Sequence, residues 1–341
     1  MPRPSLQSIA NLLGISKMTV SRVLRGEPHV SASLREKVQQ AAEALDYRPD
    51  PEISKLMTHM RQGRRNAAPR TLGFVWAERT AAEIRQSSWS SQLIAGARAR
   101  AEHLGFTLSE FHLAEKGMTA RRLSDILEAR GIPGFILSPL LSRSRGHVSM
   151  RWEQFSSVVI GLGYARPALH RVHHHHFLGM MTAMRQLKKL GYRRIGFFAS
   201  TTINERMFGA WSAAFLTHHP LRVAEAEGLL CLNRTPHRQH LIAWLNDQRP
   251  EVVIDGGQMA YDWLKGRRIP EELGYVTLGW QPERPHRTGI DQQADVLGSA
   301  AMDLLVEQFH HNERGTPGHP KIVMTEGVWR TGSTVRRVRR D

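Results

Sequence analysis

Leu6-Gln-Ser-Ile-Ala-Asn-Leu-Leu-Gly-Ile-Ser-Lys-Met-Thr-Val-Ser-Arg-Val-Leu-Arg25 encodes two short helices that meet at a glycine. Ile9, Leu13, Ile15, Val20 and Val23 are spaced to close into one miniature core. Ala10 is small where the helices would cross, and Gly14 tolerates the positive φ of a tight turn. Ser16 is placed to cap the second helix by accepting a hydrogen bond from one of its free N–H groups. With Val20, Val23 and Leu24 turned inward, that helix leaves Lys17, Met18, Ser21 and Arg22 on its outer face. A small, polar, cationic helix face fits the DNA major groove, where Arg and Ser bond base edges and phosphates. An ordinary helical hairpin has the same outline, so the flanking sequence decides.

A third helix follows. Ser31 or Ser33 starts it, Leu34, Val38, Ala41, Ala42 and Leu45 repeat at helical spacing, and Pro49 is expected to stop it. Asp50, Pro51 and Glu52 then form a helix-start signature that predicts one more short helix. The stretch from Gln62 to Arg70 reads as a linker, with Arg61, Arg64 and Arg65 available to phosphates.

These fifty residues closely resemble the head of the lactose-repressor (LacI) family of bacterial transcription regulators. The resemblance rests on Ile9-Ala10, Gly14-Ile15-Ser16, Thr19-Val20-Ser21-Arg22-Val23-Leu24, Val30-Ser31, Arg35-Glu36-Lys37-Val38 and Leu45-Asp46-Tyr47-Arg48-Pro49. It implies DNA contacts from Ser16, Lys17, Met18, Thr19, Ser21, Arg22, His29, Ser31 and Tyr47. It also implies a hinge helix that inserts Leu56 into the minor groove, kinking the duplex. Asp50 and Ile53 depart from the family pattern, which has Asn and Ala there. A weaker resemblance runs to about residue 334.

Composition sets the frame for the remainder. The chain has 341 residues and a formal net charge of +16, enough length for two or three domains. Residues 1–65 hold 11 Lys/Arg and 6 Asp/Glu, and the rest hold 36 and 25, so the basicity is spread along the chain. It favours attraction to a polyanion without choosing a sequence. Cys231 is the single cysteine, which excludes an intrachain disulfide and fits a reducing cytoplasm. Neither a signal-peptide core nor an apolar run of membrane-spanning length is legible. A cytoplasmic, nucleoid-associated protein is expected.

From Thr71 strands and helices alternate. Strands are predicted at Leu72–Trp76, Thr107–Phe111, Gly134–Leu137, Ser157–Ile160, Arg194–Phe198, Val252–Ile254 and Tyr275–Leu278. Helices are predicted at Ser91–Leu104, Thr119–Ala129, Phe177–Leu190, Phe208–Leu216 and Ala294–Phe309. Such alternation implies an α/β body with parallel sheets covered on both faces. The resemblance implies a periplasmic-binding-protein-like body: two doubly wound subdomains crossed by the chain near 163–168, 287–291 and 322–326. An effector cleft would lie at the carboxyl ends of the strands. The domains are then a head, 1–49; hinge helix and linker, 50–70; body, 71–334; and a basic tail, 335–341.

Arg206 matches the family arginine that grips effector hydroxyls or carboxylates. Trp76, Trp89 and Trp280 are positioned to stack on a ring. The family carries Asn-Asp where this chain has Gly256-Gly257, and Asp where it has Gln281. Asp255, Gln258, Gln281 and Asp291 are the polar candidates that remain. Carbohydrate is the first candidate effector.

Other motifs are set aside. Val158–Gly163 lacks the third glycine of a dinucleotide loop, and Pro167 interrupts the helix that should follow. His173 to His176 are adjacent and so point apart, which reads as a loop or helix-start cluster and not a metal site. No cofactor and no catalytic constellation is expected. The expectation is a homodimeric regulator, a repressor by preference, that binds an inverted-repeat operator under small-molecule control. The alternative is a solute-binding module or α/β enzyme that keeps a helical head.

Overall fold

The computed structural model describes residues 6–24, 32–45, 47, 70–140 and 146–338, the side chains of Gln7, Met18, Ser21, Arg22 and Ala32 excepted. The chain divides into two compact units, 1–68 and 69–341. Predicted features at His29, Ser31, Pro49, the hinge with Leu56, and Arg61, Arg64 and Arg65 lie outside the described residues.

In the head, helices α1 (Leu6–Leu13), α2 (Lys17–Leu24) and α3 (Ala32–Ala44) close over Ile9, Ala10, Val20, Val23, Val38, Ala41 and Ala42. Gly14 takes φ +65 at the turn, and the Ile15 N–H reaches back to the Ala10 carbonyl at 3.1 Å. Helix α3 ends at Ala44, before the proline expected to stop it. The Tyr47 N–H instead closes onto the Ala42 carbonyl at 2.9 Å.

In the body, the first subdomain is a six-stranded parallel sheet in the order β13-β7-β5-β3-β1-β2. Its strands are β1 (Arg70–Trp76), β2 (Phe106–His112), β3 (Gly134–Leu137), β5 (Ser156–Ile160), β7 (His170–His174) and β13 (Ile322–Thr325). The second sheet runs β14-β12-β11-β10-β8-β9, parallel except for β14. It comprises β8 (Ile195–Ser200), β9 (Leu230–Asn233), β10 (Val252–Asp255), β11 (Gly274–Thr277), β12 (Thr288–Asp291) and β14 (Val328–Arg330). The predicted strands are present. Strands β7, β9, β12, β13 and β14 escape a hydrophobic reading because they are short or carry few aliphatic side chains. Strand β7 has only Val172, yet it is hydrogen-bonded on both edges.

Helices cover both faces of each sheet. In chain order α4 is Ala81–Arg85, α5 Ser88–His103, α6 Ala120–Ala129 and α7 His176–Lys189. They are followed by α8 (Thr201–Arg206), α9 (Ala210–His218), α10 (Val223–Gly228), α11 (Arg238–Gln248), α12 (Ala260–Trp263) and α13 (Ala294–His311). In the first subdomain α5 and α13 bury Leu93, Ala97, Leu297 and Ala301 on one face. Leu123 and Leu127 of α6 fill the other. Phe208, expected at the start of a helix, instead has φ +52 in the turn before α9.

The three crossings lie at the ends of strands: 174–176 from β7 to α7, 291–294 from β12 to α13, and 325–328 from β13 to β14. The expected first crossing at 163–168 is wrong. There β6 (Tyr164–Arg166) pairs with the two-residue β4 (Gly146–His147), and Tyr164 packs in the first subdomain. The stretches 287–291 and 322–326 are mostly strand, so those two crossings shift a few residues onward. The basic tail is also corrected. As far as Val338 it docks on the second subdomain, with the Val338 N–H on the Leu190 carbonyl at 2.8 Å and the Arg336 N–H on the Tyr192 hydroxyl at 3.1 Å.

Candidate functional site

In the head, Ser16 does what its position predicts. Its Oγ accepts the Thr19 N–H at 3.0 Å and lies 2.8 Å from the Thr19 hydroxyl, fixing the first turn of α2. Lys17 is exposed beside it, and Thr19 and Tyr47 are half-buried. The side chains of Met18, Ser21 and Arg22 are not among those described.

In the body, a cavity of about 380 Å³ opens between the two subdomains at the carboxyl ends of both sheets. The loop after β1 and the first turn of α5 bring Arg79, Ser88 and Trp89. Helix α8 brings Arg206, and the turns after β10 and β11 bring Gln258, Trp280 and Gln281. Strand β12 ends on the wall at Asp291. Six of the eight predicted residues therefore line one space: Trp89, Arg206, Gln258, Trp280, Gln281 and Asp291.

Trp76 and Asp255 do not. The Trp76 indole is core: it packs 4.8 Å from the Phe74 ring, and its Nε1–H donates to Glu110 at 3.0 Å. Asp255 is fully buried beneath the floor. It accepts the Gly257 and Ala260 N–H groups, both at 2.8 Å, and the Tyr275 hydroxyl at 3.0 Å. Burial pushes its carboxyl up from the usual range, opposed by those hydrogen bonds. Its role is to shape the turn that presents Gly256, Gly257 and Gln258.

The set-aside histidines belong to the cavity. His173 and His174 end β7, His176 starts α7, and all three line the space. The His173 and His176 rings are stacked with centroids 6.0 Å apart, and His176 stands edge-on to Trp211 at 5.3 Å. Burial holds all three below the ordinary imidazole value, His174 at about 4. They are therefore neutral near pH 7. Nδ1 of His174 and of His176 is buried with no hydrogen-bond partner. Among the described residues no group of three or more His, Cys, Asp or Glu is arranged to hold a metal. A strand-to-helix switch at the carboxyl end of a sheet was the signal that could have placed these residues in the cleft.

The charged inventory is lopsided. Arg206 is buried to 9% exposure; burial pulls its guanidinium value down, opposed by Glu78. Arg79 donates to the Ser90 hydroxyl at 2.9 Å. Asp291 is already engaged: Arg330 donates to it from Nε at 3.1 Å and Nη2 at 2.9 Å, and the Gln293 N–H at 2.9 Å. The same guanidinium stands 5.4 Å from the Trp280 ring centre, and Trp280 Nε1 is buried without a partner. At the mouth the Ser88 hydroxyl, on the first subdomain, donates to Glu283, on the second.

Comparison with known proteins places both units. The sequence profile of "Bacterial regulatory proteins, lacI family" matches residues 5–50. The HTH-type transcriptional regulator CelR of Thermobifida fusca is 26% identical over 334 residues, 90% of this chain and 92% of that protein. The lactose operon repressor of Escherichia coli (strain K12) is 25% identical over 319 residues, 89% and 84% of the two chains. The structure of a "transcriptional regulator CelR-cellobiose complex" covers 97% of this chain and 100% of its own, with a TM-score of 0.59 at 20% identity. That likeness is one of fold. Among the described residues no helix is long and apolar enough to cross a membrane.

Proposed function

The chain belongs to the lacI family of bacterial regulatory proteins, and from that premise we propose that it works as a homodimeric repressor in the cytoplasm. The observation that carries the reading is a coincidence of position. The stretch that matches the family is the three-helix unit in which Ser16 caps α2 and Lys17 faces outward. Two such heads read the half-sites of an inverted repeat, because one head buries too little surface to be specific alone. Lys17, Met18, Thr19, Ser21, Arg22, His29, Ser31 and Tyr47 contact bases or phosphates, and Leu56 of each subunit wedges the minor groove.

A small polar molecule that carries a ring is the effector, held in the cleft by Arg206, Gln258 and Gln281 between Trp89 and Trp280. Its binding changes how the subdomains close, and closure changes operator affinity. The coupling is of the order of 1–3 kcal/mol, typical of two linked sites. Catalysis has no part in this reading, and the purified protein is expected to turn nothing over.

Gel shifts on operator and scrambled DNA test it. Arg22→Ala is expected to abolish discrimination between the two while leaving much of the non-specific affinity; equal losses on both contradict the assignment. Affinity for any duplex should fall steeply between about 50 and 200 mM salt.

A further inference from the structure

We infer that the pole of the second subdomain opposite the cleft holds the phosphate backbone of duplex DNA, giving the body a contact of its own beside those of the head. Helix α7 starts on the cleft wall at His176 and ends at Lys189. At 1.5 Å per residue its last turn lies roughly 20 Å from that wall, so the effector site is not involved. The last turn carries Lys188 and Lys189, Arg185 stands one turn earlier, and all three are exposed. With Met181 and with His218, at the end of α9, they line one groove. The docked tail adds to the same end. The Val338 N–H bonds the Leu190 carbonyl at 2.8 Å, directly after Lys189, so the exposed Arg336 and Arg337 stand alongside.

The charge at this pole is not met within the protein. Elsewhere on the body Arg98 pairs with Glu110 at 2.7 Å, Arg100 with Asp303 at 2.6 Å and Lys321 with Glu307 at 2.7 Å. Among the described residues no carboxylate ion-pairs with Arg185, Lys188 or Lys189. Glu251, at the foot of β8, takes the Arg193 and Arg194 N–H groups at 2.7 and 3.0 Å. Like charges one turn apart on a helix repel. The negative end of the α7 dipole accounts for Lys188 and Lys189, but not for Arg185 or the tail arginines. Duplex DNA supplies what the array lacks: a negative charge about every 1.7 Å, with counterions to release when Lys or Arg neutralises a phosphate. Exposed, long cationic side chains suit backbone contacts, which carry no sequence information. The head does not explain the basicity of the chain, since residues 66–341 hold 36 Lys/Arg against 25 Asp/Glu.

The test uses the full chain and a fluorescein-labelled duplex of scrambled sequence, with anisotropy titrations from about 50 to 200 mM salt. The triple variant Arg185→Gln, Lys188→Gln, Lys189→Gln is expected to lower the steepness of log affinity against log salt by about 2 to 3. A control, Arg121→Gln, Arg234→Gln, Lys265→Gln, removes the same charge from exposed positions outside the groove and should leave the steepness within about 0.5 of the parent. The ratio of operator to scrambled affinity should shift less than about twofold in the groove variant, because phosphate contacts weaken all sequences alike. A second readout needs no substitution. Lysine acetylation of the parent chain, followed by mass spectrometry, should slow severalfold at Lys188 and Lys189 when the scrambled duplex is present, and not at Lys265. A groove variant no different from the control, or Lys188 and Lys189 acetylated equally fast with and without duplex, overturns the inference.

Discussion

Ser88 and Glu283, 195 residues apart in the chain, meet across the mouth of the cleft, where the serine hydroxyl donates to the glutamate carboxylate at 2.9 Å. The bond ties the first turn of α5 to the loop after β11, and so closes one subdomain on the other. Hydrogen bonds to an ionised acceptor are stronger than neutral ones, though exposure weakens this one. Glu283→Gln is therefore expected to raise the dissociation rate of a cleft-bound effector about two- to fivefold, with little change in association. Stopped-flow fluorescence reads both; an unchanged dissociation rate would remove the bond from the closing motion.

Helices α5 and α13 touch at a pair of glycines. A Cβ on Gly96 would run into the Asp295 carbonyl, and one on Gly298 into the Leu93 carbonyl. Neither obstacle is the flexible end of a side chain, so the helices themselves must move. Gly298→Ala should destabilise the body by about 3 kcal/mol, a drop of several degrees in melting temperature. Gly318→Ala, where nothing lies within 4 Å, is the neutral control.

Acid should loosen the body through its buried histidines. The His174 value lies at about 4, with desolvation the first cause, against an ordinary 6.5. Between those values the unfolded chain binds the extra proton, so stability is full above about pH 6.5 and falls toward pH 4. The loss from this group is roughly 2 kcal/mol by pH 5. His174→Asn should flatten the fall in melting temperature between pH 7 and 5; an unchanged slope would assign the acid sensitivity elsewhere.

Asp255 predicts a purely structural loss. Asp255→Ala leaves the Gly257 and Ala260 N–H groups and the Tyr275 hydroxyl without their acceptor. Unfolding should become easier by about 3 kcal/mol. Ligand affinity per folded molecule should change less than with Arg206→Lys. Denaturant melts alongside fluorescence titration distinguish the two.

Much of the architecture was legible beforehand, because it follows from local periodicity. The head's core, the turn at Gly14 and the cap at Ser16 are set within twenty residues of chain. The strands with continuous aliphatic runs, such as Val252–Asp255, declared themselves in the same way. Strand β7 did not. His-Arg-Val-His-His has no hydrophobic pattern to read, and its strand state comes from neighbours on either side, β5 and β13, that are remote in sequence. The first crossing was misplaced for the same reason.

For the cleft, the sequence by itself determined which residue types come at or beyond the carboxyl ends of strands: Arg206 in the short helix after β8, Trp280 and Gln281 in the turn after β11, and Asp291 at the end of β12. Only the tertiary structure decided which of them look into one space. Trp76 turns into the core and Asp255 sits under the floor, while His173, His174 and His176 come to line the wall. A strand's alternation says that successive side chains part company. Which side is cavity and which is core depends on how two sheets face each other after three crossings, and that is a property of distant contacts.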